Sequence, residues 1–356
     1  MSNYQKTLND LLSLAIINKA SDIHFTPNRR PILRIDGQLK PIDKQDPLLP
    51  EEVRSLVEIM LSKENYQKLL QQKELDFSYE INGKGRFRGN AYYQRGTISC
   101  ALRFVSTKIR TIEELNLPPI FHLFARATQG FVLVTGPSSH GKSTTLAAVI
   151  DEINHTRTDH VITIEDPIEY IFENDLAIID QREVDIDTKS FENALRSTFR
   201  QDPDVIMVGE MRDAETIATA ITAAETGHLV FATLHTNSAS QTIHRIVDSF
   251  EGSQQMQIRA QLSGSLLAVV SQRLIPGAEG GMIPACEIML NSPAVSNLIR
   301  ENKIHEIPLI ISTSIEDGMI TLNQSIAHLV KNNKVKIEDA YNFSPNISEL
   351  KELLKR

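Results

Sequence analysis

The chain of 356 residues contains only two cysteines, Cys100 and Cys286. Two thiolates cannot complete a four-cysteine zinc site. Both lie far apart in apolar stretches, where cysteine acts as a small buried side chain. No run approaches the about eighteen apolar residues of a membrane-spanning helix. Met1–Lys6 does not lead into the apolar core of a signal peptide. There is no internal repeat and no low-complexity tract. Positive charge is also in short supply. Lys and Arg number 37 against 45 Asp and Glu, leaving a net charge of −8. That argues against a broad nucleic-acid footprint, while leaving room for a local basic channel. These absences point to a cytoplasmic globular protein that could still dock on a membrane partner. Its length suits two domains with an ample core.

What is present centres on Gly136-Pro137-Ser138-Ser139-His140-Gly141-Lys142-Ser143-Thr144, which reads G-x-x-x-x-G-K-S. It follows the apolar run Phe131–Val134 and precedes a helical pattern, Thr145–Ile150. Strand, loop and helix in that order are the setting of a P-loop. There the glycines turn backbone N–H groups toward phosphate oxygens, and Lys142 reaches the β- and γ-phosphates of ATP. The Ser143 hydroxyl holds Mg²⁺, and the helix points its positive end at the anion. The bland alternative is a glycine-rich turn before an ordinary helix.

The first hundred or so residues read as a small α+β domain. Leu8, Leu11, Leu12, Ala15 and Ile16 recur at helical spacing. Strand-like runs follow at Ile23–Phe25 and Ile32–Ile35, with Asp36-Gly37 as a turn. Pro50–Leu61 and Glu64–Lys73 read as helices, and Pro50 suits a helix start. Arg86–Val105 alternates apolar and polar residues on either side of Arg95-Gly96, a hairpin pattern. With those two residues as the turn, the pairs are Tyr93/Ile98, Ala91/Cys100, Gly89/Leu102 and Phe87/Phe104. Apolar then faces apolar throughout. The same register opposes Arg88 to Arg103. Like charges so placed repel. Either an anion sits with them, or both are splayed into water.

Residues 107–118 carry charges and prolines and read as an interdomain linker, with a hinge near Lys108–Thr111. From Gly130 onward strands and helices alternate. The strands are expected at Phe131–Thr135, Val161–Glu165, Val205–Gly209 and Leu229–Leu234, with helices near Lys142–Asn154, Ser190–Arg200 and Ala214–Thr226. This predicts a parallel sheet covered on both faces. Phe191, Leu195 and Phe199 form a core stripe on the second helix, with Arg196 and Arg200 off it. From Gln254 the chain reads as mostly helical with one strand-like run, Ile283–Met289.

Ligands of such sheets bind at the carboxyl ends of the strands, where three stretches place chemistry. Glu165 and Asp166 close one strand before Pro167. Val205–Val208 lead through Gly209 to Glu210, the pattern of a Walker B carboxylate, with Glu where many P-loop proteins place Asp. Such a group holds Mg²⁺ through water or polarises the attacking water. The bland reading is a strand-end acid ahead of a helix capped at Asp213. The third stretch contains His228 and His235. They flank one strand on opposite faces, roughly 23 Å apart at about 3.3 Å per residue, and cannot share a metal. His235 lies at the carboxyl end, as a phosphate sensor or a structural residue. His228 is structural or intersubunit.

At these residues the chain resembles the secretion and type IV pilus motor ATPases, most closely the pilus-retraction (PilT-type) branch, over nearly its whole length. Ala20–His24 is similar to the family's N-terminal signature, and Gly136–Thr144 to its Walker A. Ile164–Glu169 is similar to its Asp box, Gln201–Arg212 to its Walker B segment, and Thr226–Asn237 to its His box. Pro293–Lys303 resembles the C-terminal motif linked to retraction, but has Ser296 where an arginine is usual. The four-cysteine module and longer N-terminus of the extension branch are missing.

The resemblance implies a PAS-like N-terminal domain over residues 1–106 and a RecA-like P-loop motor over 119–356 with a helical C-terminal portion. It implies a homohexamer at the cytoplasmic face of the inner membrane, working on a PilC-like platform protein, with a second retraction ATPase as a further partner and no nucleic acid. It assigns Arg88 and Arg103 to nucleotide contact, Glu165 and Glu210 to Mg²⁺ and water activation, and His235 to the nucleotide end of the His box. An accessory PilU-like motor, a type IV secretion traffic ATPase, a nucleotide-gated switch with little catalysis and a DNA-directed RecA-like motor are the rival readings. The family loop places a small residue where His140 stands. A protonated His140 beside the phosphates would make nucleotide affinity weaken as pH rises through its pKa.

Overall fold

The Arg95-Gly96 turn sets the N-terminal sheet. Both residues have positive φ, 47° and 80°, as a tight hairpin turn matched to strand twist requires. The computed structural model describes residues 3–35, 37–43, 45–81, 85–105 and 108–355. Asp36 of the expected turn, and Ser106 and Thr107 at the expected domain–linker junction, lie outside them. The chain divides into two compact units, Met1–Lys108 and Ile109–Arg356.

The first unit contains α1 (Asn3–Ile17), β1 (Asp22–Phe25), β2 (Ile32–Ile35), β3 (Gln38–Pro41), α2 (Pro50–Met60), α3 (Lys63–Gln72), β4 (Glu74–Ile81), β5 (Gly85–Gln94) and β6 (Thr97–Val105). The strands form one antiparallel sheet in the order β3-β2-β1-β6-β5-β4. The β5–β6 pairs are those expected, Arg88 opposite Arg103 included. One face packs on Leu8, Leu11, Leu12, Val53, Leu56 and Val57 of α1 and α2. β3 and β4 were not expected, although Leu75, Phe77, Tyr79 and Ile81 of β4 alternate with Glu74, Asp76, Ser78 and Glu80 and turn toward the core. All four residues of β3 are exposed, with Lys40 and Pro41 blunting it as an edge.

The second unit contains α4 (Phe121–Arg126), β7 (Gly130–Thr135), α5 (Lys142–Thr156), β8 (His160–Glu165), β9 (Ile178–Glu183), α6 (Phe191–Thr198), β10 (Val205–Val208), α7 (Ala214–Glu225), β11 (Leu229–Leu234), α8 (Ala239–Asp248), α9 (Gly252–Ser265), β12 (Leu266–Pro276), β13 (Met282–Leu290), α10 (Pro293–Arg300), α11 (Ile307–Thr313), α12 (Leu322–Lys331), α13 (Ile337–Phe343) and α14 (Ile347–Lys355). The sheet order is β13-β12-β7-β11-β10-β8-β9. Only β13 runs antiparallel to its neighbour. β7 shows why its strands read as unbroken apolar runs: Phe131 and Leu133 face one core and Val132 and Val134 the other.

Three expectations change. β12 is an eleven-residue strand in a stretch expected to be helical, and β9 is an unexpected edge strand. Phe199 follows α6 instead of joining its core stripe; it is 36% exposed and meets the His228 ring edge-on. Arg196, off the stripe as expected, pairs with Glu192 and Glu215. The segment before α4 buries Ile112, Leu115 and Leu117 in the core shared with α4 and α5.

Candidate functional site

The loop from β7 to α5 is shaped by residues that need left-handed backbone. Gly136, Ser139 and Gly141 have φ of 145°, 63° and 78°. A Cβ at Gly136 would lie 2.4 Å from the Gln272 carbonyl oxygen, so only glycine fits. Gly141 caps α5 without a side chain, which leaves the first-turn N–H groups open to an anion. Lys142 is buried, and its Nζ donates to the carbonyls of Gly136 (2.9 Å) and Pro137 (3.0 Å). Burial pushes its pKa down, against the pull of the Glu210 and Glu169 carboxylates. The Thr144 hydroxyl lies 2.8 Å from that of Tyr170.

Strand ends bring the acids together. A Cβ on Gly209 would come within 3.3 Å of the Glu165 Cα, so glycine lets the end of β10 lie against β8. Glu210 Oε1 is 3.0 Å from His235 Nε2. Its Oε2 accepts from Arg212 Nε and Nη2, at 2.9 and 2.8 Å. His235 Nδ1 faces the Ser138 hydroxyl at 3.5 Å. The imidazole thus stands between the Walker B carboxylate and the phosphate loop, and one proton on Nε2 serves both contacts.

Glu165 is enclosed. Oε1 accepts from the Thr163 hydroxyl (2.7 Å) and Gln181 Nε2 (3.2 Å), and Oε2 from the Glu169 N–H (3.4 Å). Burial raises its pKa from 4.5 to about 7, the three donors opposing the rise. Between those values the folded chain keeps a proton that the unfolded chain gives up, so stability falls as pH rises through that window. At about 1.4 kcal/mol per pH unit the change is roughly 3 kcal/mol. Denaturant unfolding of the nucleotide- and Mg²⁺-free protein from pH 5 to 8 is expected to show this slope, and Glu165→Gln to remove it. A stability difference between the two proteins that does not vary with pH would refute the assignment.

His140 corrects an expectation. Its Nδ1 accepts the Leu274 N–H at 2.9 Å, so the ring is turned onto β12. Burial, then Arg273 and Lys142, push its pKa down, and with Nδ1 accepting from the backbone any proton it offers lies on Nε2. His228 closes a helix: its Nδ1 lies 2.9 Å from the Ala223 carbonyl at the end of α7. Asp213 caps that helix through the Thr216 N–H. Ser296 turns inward, its hydroxyl 2.9 Å from both the Ser263 carbonyl and Asn291 Oδ1, with one proton to donate between them, tying α10 to α9. Arg88 and Arg103 belong to the first unit, side by side on its polar sheet face, with Arg103 Nε 2.9 Å from Asp22.

Beside Thr144 and Thr145 opens a cleft of about 500 Å³ whose walls include Arg110, Leu115, Leu274, Met282, Ile283 and Lys334. Its size and mixed polarity suit a nucleoside. These residues come from three distant segments and carry no sequence signal. The Ser143 hydroxyl and the Glu165 and Glu210 carboxylates are hard oxygen donors, which suit Mg²⁺. Among the described residues no cluster of three or more His, Cys, Asp or Glu forms a metal site by itself.

The model of the type II/IV secretion system protein family matches residues 2–337. The type IV pilus retractation ATPase PilT of Pseudomonas aeruginosa is 43% identical over 94% of this chain and 96% of its own. The type IV pilus ATPase PilU of the same species is 39% identical over 97% of this chain and 90% of its own. A crystal structure of the pilus retraction motor PilT with bound ADP is similar with a TM-score of 0.91 at 45% identity, covering 96% of this chain and 98% of that one. Kinship along nearly the whole chain and a phosphate loop joined to a Walker B carboxylate lead to one conclusion: the chain is an ATPase that belongs to the type II/IV secretion system protein family.

Proposed function

We propose that this chain powers type IV pilus retraction, as a homohexamer at the cytoplasmic face of the inner membrane. ATP binds across the loop and the cleft beside it. Lys142 and the first-turn N–H groups of α5 take the phosphates, and Thr144 with Tyr170 borders the nucleoside side. Mg²⁺ held near Ser143, Glu165 and Glu210 would offset phosphate charge. Glu210 orients and deprotonates the attacking water, while His235 registers the phosphate end through Ser138. Arg88 and Arg103 add positive charge from the N-terminal unit. Hydrolysis then swings that unit about Lys108–Thr111 and drives a PilC-like platform protein.

The observation that carries this reading is the contact of Glu210 with His235 and of His235 with Ser138, in a chain that aligns with PilT over nearly its full length. Similar identity to PilU supports a second reading, an accessory motor beside a principal one. Deleting this gene alone is expected to leave long, static pili and no twitching. Pili that still retract, driven by another motor, would assign the accessory role. Unchanged pilus length and retraction dynamics in a strain lacking any other retraction motor would exclude both.

A further inference from the structure

Gln272 on β12 is 1% exposed, and both ends of its side-chain amide are engaged by the phosphate loop and the first turn of α5. Its Nε2 donates to the His140 carbonyl at 2.8 Å, and its Oε1 accepts from the Thr145 hydroxyl at 2.8 Å. Its own carbonyl occupies the space a Cβ on Gly136 would need. The next residues continue the contact. Leu274 N–H reaches His140 Nδ1, and Arg273 Nη2 donates to Asn237 Oδ1 at 3.1 Å in the loop after His235. One strand thus touches both ends of the phosphate loop and the segment carrying the histidine.

The chemistry of the 140–141 peptide gives this contact a direction. In a trans peptide the carbonyl and the following N–H point opposite ways. Drawing the His140 carbonyl onto β12 turns the Gly141 N–H to the other side, away from that strand. Were that plane to flip, a carbonyl oxygen would face the phosphates instead of a donor. Glycine at 141 leaves the plane free to rotate, so something else must hold it. A carbonyl can only accept, so the donor end of the amide must face it, and the Thr145 hydroxyl engages the other end.

We infer that Gln272 is a positioning residue for nucleotide binding: it locks the His140–Gly141 peptide in the orientation that presents an N–H to phosphate. This rests on the reading of the loop as an ATP site. Gln272→Met keeps length and near-equal volume while removing both hydrogen bonds. An unpinned, part-buried carbonyl costs about tenfold in an equilibrium. The Kd of MgADP, by calorimetry, and the KM for ATP are therefore expected to rise about tenfold, with kcat changing less than KM. An MgADP Kd within about twofold of wild type would overturn the inference. If Gln272→Met fails to fold, Thr145→Val carries the test. Losing only the hydroxyl that orients the amide, it should weaken MgADP about threefold, and an unchanged Kd would overturn the inference. Where both variants fold, the double variant should bind no worse than Gln272→Met alone; additive losses would show that the two do not act through one contact. A wild-type protein that neither binds MgADP nor hydrolyses ATP would refute the ATP-site reading itself, a result distinct from a normal wild type with an unaffected Gln272→Met.

Discussion

Glu210→Gln is expected to lower steady-state ATP turnover at least about a hundredfold, the lower range for loss of a positioned general base, with nucleotide binding retained. The substitution is nearly isosteric. Its amide oxygen can still accept from Arg212, which now holds one carboxylate oxygen with two N–H groups. Its NH₂ can face His235, whose ring would present an acceptor in the other tautomer. Packing barely changes, because Glu210 projects from the strand end while Val205–Val208 beneath it are buried. Lys142 keeps its place as well, since its contacts are to the Gly136 and Pro137 carbonyls. What disappears is basicity at the end of β10. Phosphate release should fall while MgADP affinity stays within a few-fold. Turnover within about threefold of wild type would remove Glu210 from the chemistry.

Arg88→Ala is expected to cost roughly a thousandfold in turnover, as loss of an arginine that stabilises phosphoryl transfer does. Arg103→Ala should reduce turnover and also weaken the N-terminal unit. The difference comes from the sheet register. Arg34, Asp22, Arg103, Arg88 and Ser78 are successive cross-strand neighbours. Asp22 is buried, and Arg103 is its near cation at 2.9 Å, with Arg34 at 3.8 Å. Removing Arg103 leaves that carboxylate poorly matched. Because the Arg103 side chain is 71% exposed, the loss is on the order of 1 kcal/mol. Arg88 faces Arg103 with no carboxylate partner among the described residues, so its removal should not destabilise the sheet. Hydrolysis by the assembled oligomer, read beside urea unfolding, separates the cases. Unaltered hydrolysis by Arg88→Ala would make it a solvated surface residue, and equal stability of the two variants would refute the role given to Asp22.

Much of this was legible in the residue order wherever a local pattern carries the structure. The hairpin register from Phe87 to Phe104 could be read pair by pair, because side-chain alternation has a period of two and the turn admits no slip. The phosphate loop and the end of β10 were legible for a similar reason. Their glycines and single charged residues are demanded by local backbone geometry and by the ligand.

What could not be read was the layer that holds those residues. Gln181 and Glu183 lie on β9, whose mixed composition, IIDQRE, follows no buried-strand pattern. Gln181 donates to Glu165 Oε1 and the Tyr170 carbonyl and accepts from the Phe172 N–H, while Glu183 accepts from the Ile168 N–H. β12 begins directly after α9, and short apolar runs do not separate strand from buried helix. Its Gln272 meets His140 across 132 residues. The same omission hid the partner of His140, a backbone N–H of the unrecognised strand.

The amino-acid order alone therefore determined the family, the RecA-like strand–helix succession, the hairpin register and the phosphate loop. The family follows from the resemblance of its ordered motifs, and the others follow from periodicity, turn chemistry or a ligand's fixed requirements. Only the tertiary structure decided what holds Glu165, Glu210 and the phosphate loop in place. Those partners are backbone groups and single polar side chains on distant strands, and no local pattern encodes which loop the end of a strand will meet.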